Sequence, residues 1–144
     1  MKDLPNLQRS KVAITRLETF LHQSQAPRVE LMKIDTESTE PPVLDGMGER
    51  LACDHPIIVC EVLKGGRTER RLEEILAPLG YRFYLLTAEG PQQRDRIEGH
   101  AEDLNYVFTT LEPGELADIH SAAFSRLSPR RRSRARGARC PRPS

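Results

Sequence analysis

The chain has 144 residues, enough for one domain with a continuous hydrophobic core and too few for two. Its 22 lysines and arginines nearly balance its 21 acids, for a formal net charge of +1. Seven of those bases are arginines between Pro129 and Ser144, a stretch without acids, so the first 128 residues hold 15 bases against the 21 acids. We therefore expect an acidic folded domain over residues 1–127 and a disordered, arginine-rich tail over residues 128–144.

The composition also excludes several classes of protein. With 38% hydrophobic and 30% charged residues, the chain is typical of a globular domain. The longest apolar stretch, residues 57–63, is interrupted by Glu61 and is far shorter than the ~20 residues of a membrane helix. No secretory signal is visible at the start, and three cysteines without a CxxC pair do not form a disulfide framework. We expect a cytoplasmic protein with reduced thiols and no membrane association.

Helices and strands alternate in the first half of the sequence. A helix is predicted over residues 16–23, with Thr15 as its cap and Glu18 completing a capping box. The short apolar run 29–34, which ends in a polar loop, predicts the first strand. Pro41 begins a second helix, whose apolar stripe is Val43, Leu44, Met47 and Leu51.

The second half continues this alternation and then departs from it. Residues 57–63 predict a strand covered on both faces, and a helix capped by Thr68 and ended by Gly80 follows it. The third and fourth strands are predicted over residues 81–87 and 105–110, with a charged connection between them, and a last amphipathic helix over residues 114–124. The pattern predicts an α/β fold with a mainly parallel sheet. Because no crossover helix is evident between the third and fourth strands, we expect these two strands to run antiparallel at one end of the sheet.

Acidic side chains follow the first two predicted strands. The first delivers Asp35 and Glu37, beside Lys33, to the carboxyl edge of the sheet, and the second delivers Glu61. Ligands of open α/β sheets bind at this edge, where carboxylates can bind a cation, act as bases or accept hydrogen bonds from a ribose. The alternative is that Asp35 and Glu37 only cap the next turn, and that Glu61 pairs with Lys64 or Arg67.

Several segments, in order, carry a resemblance to a known family. Residues 28–46 resemble the K-I-D-x-E-G-x-E…V-L-x-G stretch of the FkbM family of S-adenosylmethionine (SAM)-dependent methyltransferases. Residues 15–21 are similar to its T-L-D-x-F-L segment, residues 56–62 to its P-x-I-x-x-E strand, and residues 79–83 to its G-Y strand. The likeness covers about residues 12–110.

The resemblance implies a fold, a reaction and roles for single residues. The fold is the C-terminal half of a class I (Rossmann-like) methyltransferase sheet, about four strands with the last antiparallel, flanked by helices. The reaction is SAM-dependent O-methylation of a sugar or small-metabolite hydroxyl, so the partner is a small-molecule or glycan acceptor. Asp35 and Glu37 match acidic positions of the motif and are expected to be catalytic, as base or orienting groups, and Glu61 to bind substrate, whereas Glu40 is expected to be structural. Ser38 replaces a glycine of the motif and would strain the loop by about 1 kcal/mol if its φ is positive.

The same resemblance exposes a missing part. The family binds SAM mainly through a glycine-rich turn after its first strand and an acid after its second. The residues before Lys11 offer neither, so we expect a truncated methyltransferase, inactive alone. Its first strand would then be an exposed edge, open to self-association or to complementation by another polypeptide.

Other signals compete with this hypothesis. His100 lies on the long connection before the last strand and is expected to bind substrate, although a solvated charged loop is an equal alternative. Cys53, His55 and Cys60 lack the spacing of a zinc site, so no metal is expected. The turn at Gly65 could cradle an anion, although a plain turn is favoured.

The arginine tail supports the second class of function. Its bases could contact phosphates, but it has no aromatic residue to stack on bases, so nucleic-acid binding is not expected. The alternative function is a non-catalytic binding or assembly module that uses its open edge and its basic tail.

Overall fold

The computed structural model describes residues 10–65, 67–116 and 118–119. The chain divides into two units, Met1–Thr110 and Leu111–Ser144. In the first unit the described elements are α1 (Leu17–Gln23), β1 (Leu31–Ile34), α2 (Glu40–Met47), α3 (Glu49–Asp54), β2 (Ile57–Glu61), α4 (Arg67–Leu76), a 3-10 turn (Ala77–Leu79), β3 (Arg82–Thr87), β4 (Gly90–Arg94) and β5 (Asn105–Thr109). In the second unit, residues 113–116 and 118–119 are helical. The rest of the predicted last helix and the arginine tail lie outside the described residues.

The five strands form one sheet in the order β1-β2-β5-β3-β4. Strand β1 runs parallel to β2, whereas β5 runs antiparallel to both β2 and β3. The mixed α/β architecture is therefore the one expected for a Rossmann-like methyltransferase fragment, and the antiparallel direction of the last strand is confirmed. The third and fourth predicted strands, β3 and β5, pair antiparallel with each other as expected, and β5 lies between β2 and β3.

Strand β4 is an element that the sequence pattern did not predict. It forms a hairpin with β3 inside the stretch interpreted as a charged connection. Its sequence, Gly-Pro-Gln-Gln-Arg, has no alternation of apolar and polar residues and includes Pro91. A strand at the edge of a sheet needs only backbone pairing on one side, so its side chains can all be polar.

The helix boundaries differ from the prediction where a cap was expected. Helix α1 begins after Arg16 and has no side-chain cap, so the prediction that Thr15 caps it is wrong. Thr68 is also not a cap, because it lies inside α4 as the second residue of that helix. Gly80 has a φ of 78° and ends the following turn in the left-handed conformation, as predicted.

The hydrophobic core lies between one face of the sheet and the helices α2, α3 and α4. The fully or nearly buried side chains of this core include Ile34, Leu44, Met47, Leu51, Ile58, Cys60, Leu72, Leu76, Phe83, Leu85, Tyr106 and Phe108. In β2 only alternate residues are buried, so the prediction that this strand is covered on both faces is wrong. The burial of each large apolar side chain contributes about 2 kcal/mol to the stability of the fold. This packing holds the strands that carry the site in place. Among the described helices, none is long and apolar enough to cross a membrane.

Candidate functional site

The loop that follows β1 is built around one buried glutamate. Glu40, the first residue of α2, is 1% exposed, and its Oε1 accepts hydrogen bonds from the N–H and Oγ1 of Thr36 at 3.2 Å each. The same oxygen accepts from the N–H of Ser38 at 3.1 Å. Glu40 therefore shapes the loop from beneath and does not face a ligand at its surface.

This loop holds two consecutive residues in an unusual backbone conformation. Glu37 has a φ of 52° and Ser38 a φ of 74°. The condition for strain at Ser38 is thus met, because a side chain in this conformation costs about 1 kcal/mol relative to glycine. The turn presents Glu37 on the same side as Asp35.

Three carboxylates meet at the carboxyl ends of β1 and β2. One carboxylate oxygen each from Asp35, Glu37 and Glu61, residues here called the acid cluster, lies within 4.8 Å of the other two. Asp35 and Glu37 are exposed and Glu61 is partly buried. Within the described part of the chain, Glu61 makes no ion pair with Lys64 or Arg67, so the interpretation of a paired surface charge is wrong. The structure brings the three predicted acids together.

The acid cluster has a distinct electrostatic character. The pKa of Glu61 is raised by its partial burial, by the charge of Asp35 and a hydrogen bond with it, and by the charge of Glu37, while Lys33 opposes these effects. The nearest counter-charge is Lys33, whose Nζ lies 3.4 Å from Oδ2 of Asp35. Crowded carboxylates of this kind can share a proton, accept one from a substrate hydroxyl, or bind a cationic group.

Asn105 is a further residue of this edge that the sequence analysis missed. It is the first residue of β5 and pairs with Glu61 in the antiparallel register. Its Oδ1 lies 3.5 Å from Nζ of Lys33, so Lys33 reaches from β1 across to β5. Only the position of β5 beside β2 brings Asn105 to the site, and the sequence pattern did not indicate which strand pairs with β2.

His100 lies in a different place from the acid cluster. It is partly buried and lines an open cleft of about 940 Å³. The cleft is lined by Lys64, Glu69, Arg70, Glu73, Glu74, Arg96, Ile97, Glu98, Gly99 and His100. None of the three acids lines this cleft, so the structure does not bring His100 together with them.

The loop that carries His100 is fastened to the first turns of α4. The N–H of Ile97 donates to Glu73 at 2.7 Å, and the N–H of Gly99 donates to Glu69 at 3.3 Å. Gly99 must be glycine, because a Cβ there would overlap the backbone of Lys64. The loop is therefore a fixed wall of the cleft.

The donor of Gly65, in the turn after β2, is not open to an anion. The N–H of Gly65 donates to Oε1 of Glu69 at 3.0 Å, so a carboxylate of the chain itself already occupies that donor. The loop after β1, residues 35–39, contains no glycine. The described strand ends therefore do not fit the glycine-rich cradle that a nucleoside cofactor such as SAM requires.

Among the described residues, Cys53 and Cys60 do not take part in a ligand group. Cys60 is buried, and burial raises the pKa of its thiol to about 12. In the part of the chain that the structure describes, the residues that meet the geometry of a metal-ligand group are those of the acid cluster, not Cys53, His55 and Cys60.

Part of the chain is similar to a known protein domain. Residues 5–83, more than half of the chain, match the sequence profile of the Methyltransferase FkbM domain. The matched span includes the whole acid cluster and ends within β3, before His100. Searches of curated proteins and of solved structures gave no significant match.

Proposed function

Since the chain belongs to the FkbM methyltransferase family, we propose that the acid cluster is the acceptor side of a methyl-transfer site. The observation that carries this proposal is the meeting of Asp35, Glu37 and Glu61 within 4.8 Å at the carboxyl ends of two parallel strands. This is the edge at which open α/β sheets bind their ligands. The reaction class is O-methylation of a hydroxyl on a sugar or small metabolite.

The roles of the three acids follow from their surroundings. If a separate donor-binding half held SAM, its methyl group would pass from sulfur to the acceptor oxygen, S-adenosylhomocysteine would leave, and a carboxylate of the acid cluster would take the hydroxyl proton. Glu61, whose pKa is raised, is the carboxyl best suited to keep a proton and to donate a hydrogen bond to the acceptor. Asp35 and Glu37, which are exposed, remain as the proton-accepting and orienting groups.

We propose the cleft at His100, which is separate from the acid cluster, as a second binding place for a polar ligand. The cleft wall offers both donors and acceptors of hydrogen bonds from Lys64, Arg96 and Glu98. Such a mixed lining suits a polyhydroxylated molecule better than an apolar one. We place this activity in the cytoplasm, as the composition suggests.

The five-stranded sheet by itself lacks the means to hold the methyl donor tightly. Neither the loop after β1 nor the turn at Gly65 forms a nucleoside cradle. We therefore propose that this chain is the acceptor-side half of a methyltransferase and is inactive alone.

Isothermal titration of the full chain with SAM tests this proposal. We expect SAM to bind with a Kd weaker than about 1 mM, so that the titration shows no saturable heat. The contacts that carry most of the donor's affinity are missing. Micromolar binding would contradict the acceptor-half proposal. If SAM does bind, the variant Asp35→Asn and its matched control Asp118→Asn locate the binding site. Binding weakened only by Asp35→Asn would place the donor at the acid cluster.

The open edge at β1 favours a second candidate, a binding or assembly module. In that case the basic tail contributes to contacts with a nucleic acid. Binding of RNA by the full chain and by a chain ending at Ser128, compared across a salt series, tests the tail. Equal, weak binding by both would remove this candidate.

A further inference from the structure

Lys33 lies on the face of the sheet that is turned away from α2, α3 and α4. Ile34, the next residue of β1, belongs to the core, and successive side chains of a strand point to opposite faces. Glu61 and Asn105 are likewise next to core residues in β2 and β5, so both lie on the same face as Lys33. Their strands are neighbours in the order β1-β2-β5, which brings the three polar side chains together.

The ammonium group of Lys33 lies among three oxygen atoms. Its Nζ is 3.4 Å from Oδ2 of Asp35, 3.5 Å from Oδ1 of Asn105 and 3.3 Å from the carbonyl oxygen of Ile34. An ammonium has three donors and no acceptor, so a carboxylate, a side-chain amide and a backbone carbonyl together match it. Oxygens of the same three kinds surround hard cations in proteins. The ammonium of Lys33 therefore lies in an environment that suits a cation.

The charge of Lys33 acts on the whole acid cluster. Three carboxylates meet there, and Lys33 forms an ion pair with Asp35. Its charge also opposes the acids that raise the pKa of Glu61. In the part of the chain that the structure describes, no other lysine or arginine forms an ion pair with the cluster. Lys33 is thus the cation on which the electrostatics of this site depend.

The contacts of Lys33 leave its ammonium able to move. Charge-assisted N–H···O bonds are usually about 2.7–2.9 Å long, whereas the contacts of Nζ are 3.3–3.5 Å. The side chain is 50% exposed and has a flexible four-carbon stem. A ligand oxygen that enters at the acid cluster can therefore attract the ammonium without the loss of a tight hydrogen bond.

We propose that Lys33 is the internal cation of the acid cluster, which orients Asp35 and receives the oxygen of a hydroxyl ligand. This role rests on the proposed acceptor site and adds a residue to it. The ammonium does there what a bound divalent cation does elsewhere: it holds a carboxylate in place and stabilises negative charge on a ligand oxygen. That charge develops as the hydroxyl proton passes to a carboxylate of the cluster, while Lys33 keeps its own protons.

An internal cation competes with a divalent ion for the same oxygens. Positive charges a few ångströms apart repel each other, so the ammonium should weaken the binding of a divalent ion to the acid cluster. We expect the unmodified chain to bind Mn²⁺ with a Kd weaker than about 1 mM. Lys33→Met keeps much of the side chain's length and removes its charge, and should bind Mn²⁺ at least about tenfold more tightly.

Titration of the full chain with Mn²⁺, followed by the relaxation rate of water protons, tests this proposal. Lys33→Arg keeps the charge and should bind Mn²⁺ as weakly as the unmodified chain. Lys64→Met is the matched control, because it removes the same charge from an exposed lysine three residues after Glu61. It should also bind weakly. Adding Glu37→Gln to Lys33→Met should reverse the gain in affinity, which locates the ion at the acid cluster.

Three results would overturn the proposal. They are Mn²⁺ binding by the unmodified chain as tight as by Lys33→Met, an equal gain in Lys33→Arg, and an equal gain in Lys64→Met. If Lys33→Met lowers the folded fraction by circular dichroism, Lys33→Gln decides instead, with the same expected gain. The outcome is separate from the titration with SAM. Failure here would leave the acid cluster as the acceptor site without an internal cation, whereas micromolar binding of SAM would contradict only the acceptor-half proposal.

Discussion

Both ends of the β1–β2 pair carry carboxylates. At one end the negative charge is balanced by hydrogen bonds and arginines, and at the other end several carboxylates repel one another. At the amino ends, Asp54 lies between the segment that leads into β1 and the start of β2. At the carboxyl ends, the acid cluster gathers three carboxylates around a single ammonium group. One strand pair thus shows a compensated and an uncompensated arrangement.

The amino end is fully compensated. Oδ2 of Asp54 accepts from the N–H of Val29 at 3.0 Å and forms an ion pair with Arg50 at 2.7 Å. Burial raises the pKa of Asp54, but the hydrogen bonds from Val29 and Arg50 and the charges of Arg50 and Arg28 outweigh it, so the pKa lies below its usual value. This carboxylate joins α3 to the start of β1.

The difference separates a structural carboxylate from candidates for chemistry. A carboxylate whose pKa is lowered by its partners, such as Asp54, adds stability above its usual pKa, and repelling acids at an exposed edge reduce stability. A cluster that costs stability at the ligand-binding edge of a sheet is consistent with a functional role, whereas Asp54 needs no ligand to explain it.

Asp54→Ala should have the largest effect and would break the compensated end. It removes a buried acceptor of charge-assisted hydrogen bonds, so we expect the free energy of unfolding to fall by about 3 kcal/mol. Urea denaturation at pH 7 measures this. Asp45→Ala is the control, because the Arg71–Asp45 pair is half exposed and should contribute less than about 1 kcal/mol. Equal losses in the two variants would remove the distinction between these carboxylates.

Ser38→Gly should have an intermediate effect on stability. It tests the loop that presents the acid cluster at the carboxyl ends of β1 and β2. It relieves the positive φ of 74° and should stabilise the protein by about 1 kcal/mol. Thr39→Gly, next to it, is the control, since Thr39 has a φ of −112° and glycine there should destabilise the chain by about 0.5 kcal/mol. A loss of stability in both variants would show that the loop does not hold Ser38 in the left-handed conformation.

Glu61→Gln should have the smallest effect, because this group contacts solvent and its interactions are screened. A raised folded-state pKa means that stability is present below the usual glutamate pKa and declines as the pH rises through the raised pKa. The variant should therefore melt at a higher temperature than the unmodified chain at pH 7, and the difference should vanish in acid.

Thermal melts from pH 3 to 8 by circular dichroism measure this difference, with Glu30→Gln as an exposed control. Asp54 has the opposite sign, since its contribution is lost as the pH falls through its lowered pKa. A gain in stability of Glu61→Gln that grew toward acid pH would contradict the repulsion in the acid cluster.

Local sequence pattern was enough for the elements that carry most of the core and for the acids. Leu72 and Leu76 have the spacing of a buried helix face, and β2 is a short apolar run. Both patterns are typical of buried elements, so their positions could be predicted. Asp35 follows β1 directly and Glu61 is the last residue of β2, and parallel strands end at one edge.

What could not be predicted depends on pairing between distant segments. Strand β4 has no apolar pattern because only its backbone is paired, and Asn105 joins the site only through the place of β5 in the sheet. Thr15 and Thr68 have the residue type of a cap, but tertiary contacts moved the helix starts by one or two residues.

The central position of β5 has a consequence for the order of folding. It is the last strand of the sheet in the chain, yet it separates β2 from β3 and supplies the inner pairing of both. During synthesis, β2 and β3 must wait with unpaired edges until residue 109 has left the ribosome, so the sheet cannot close in the order in which it is made. Its folding therefore rests on contacts of long sequence separation, which slow folding and lengthen exposure to chaperones.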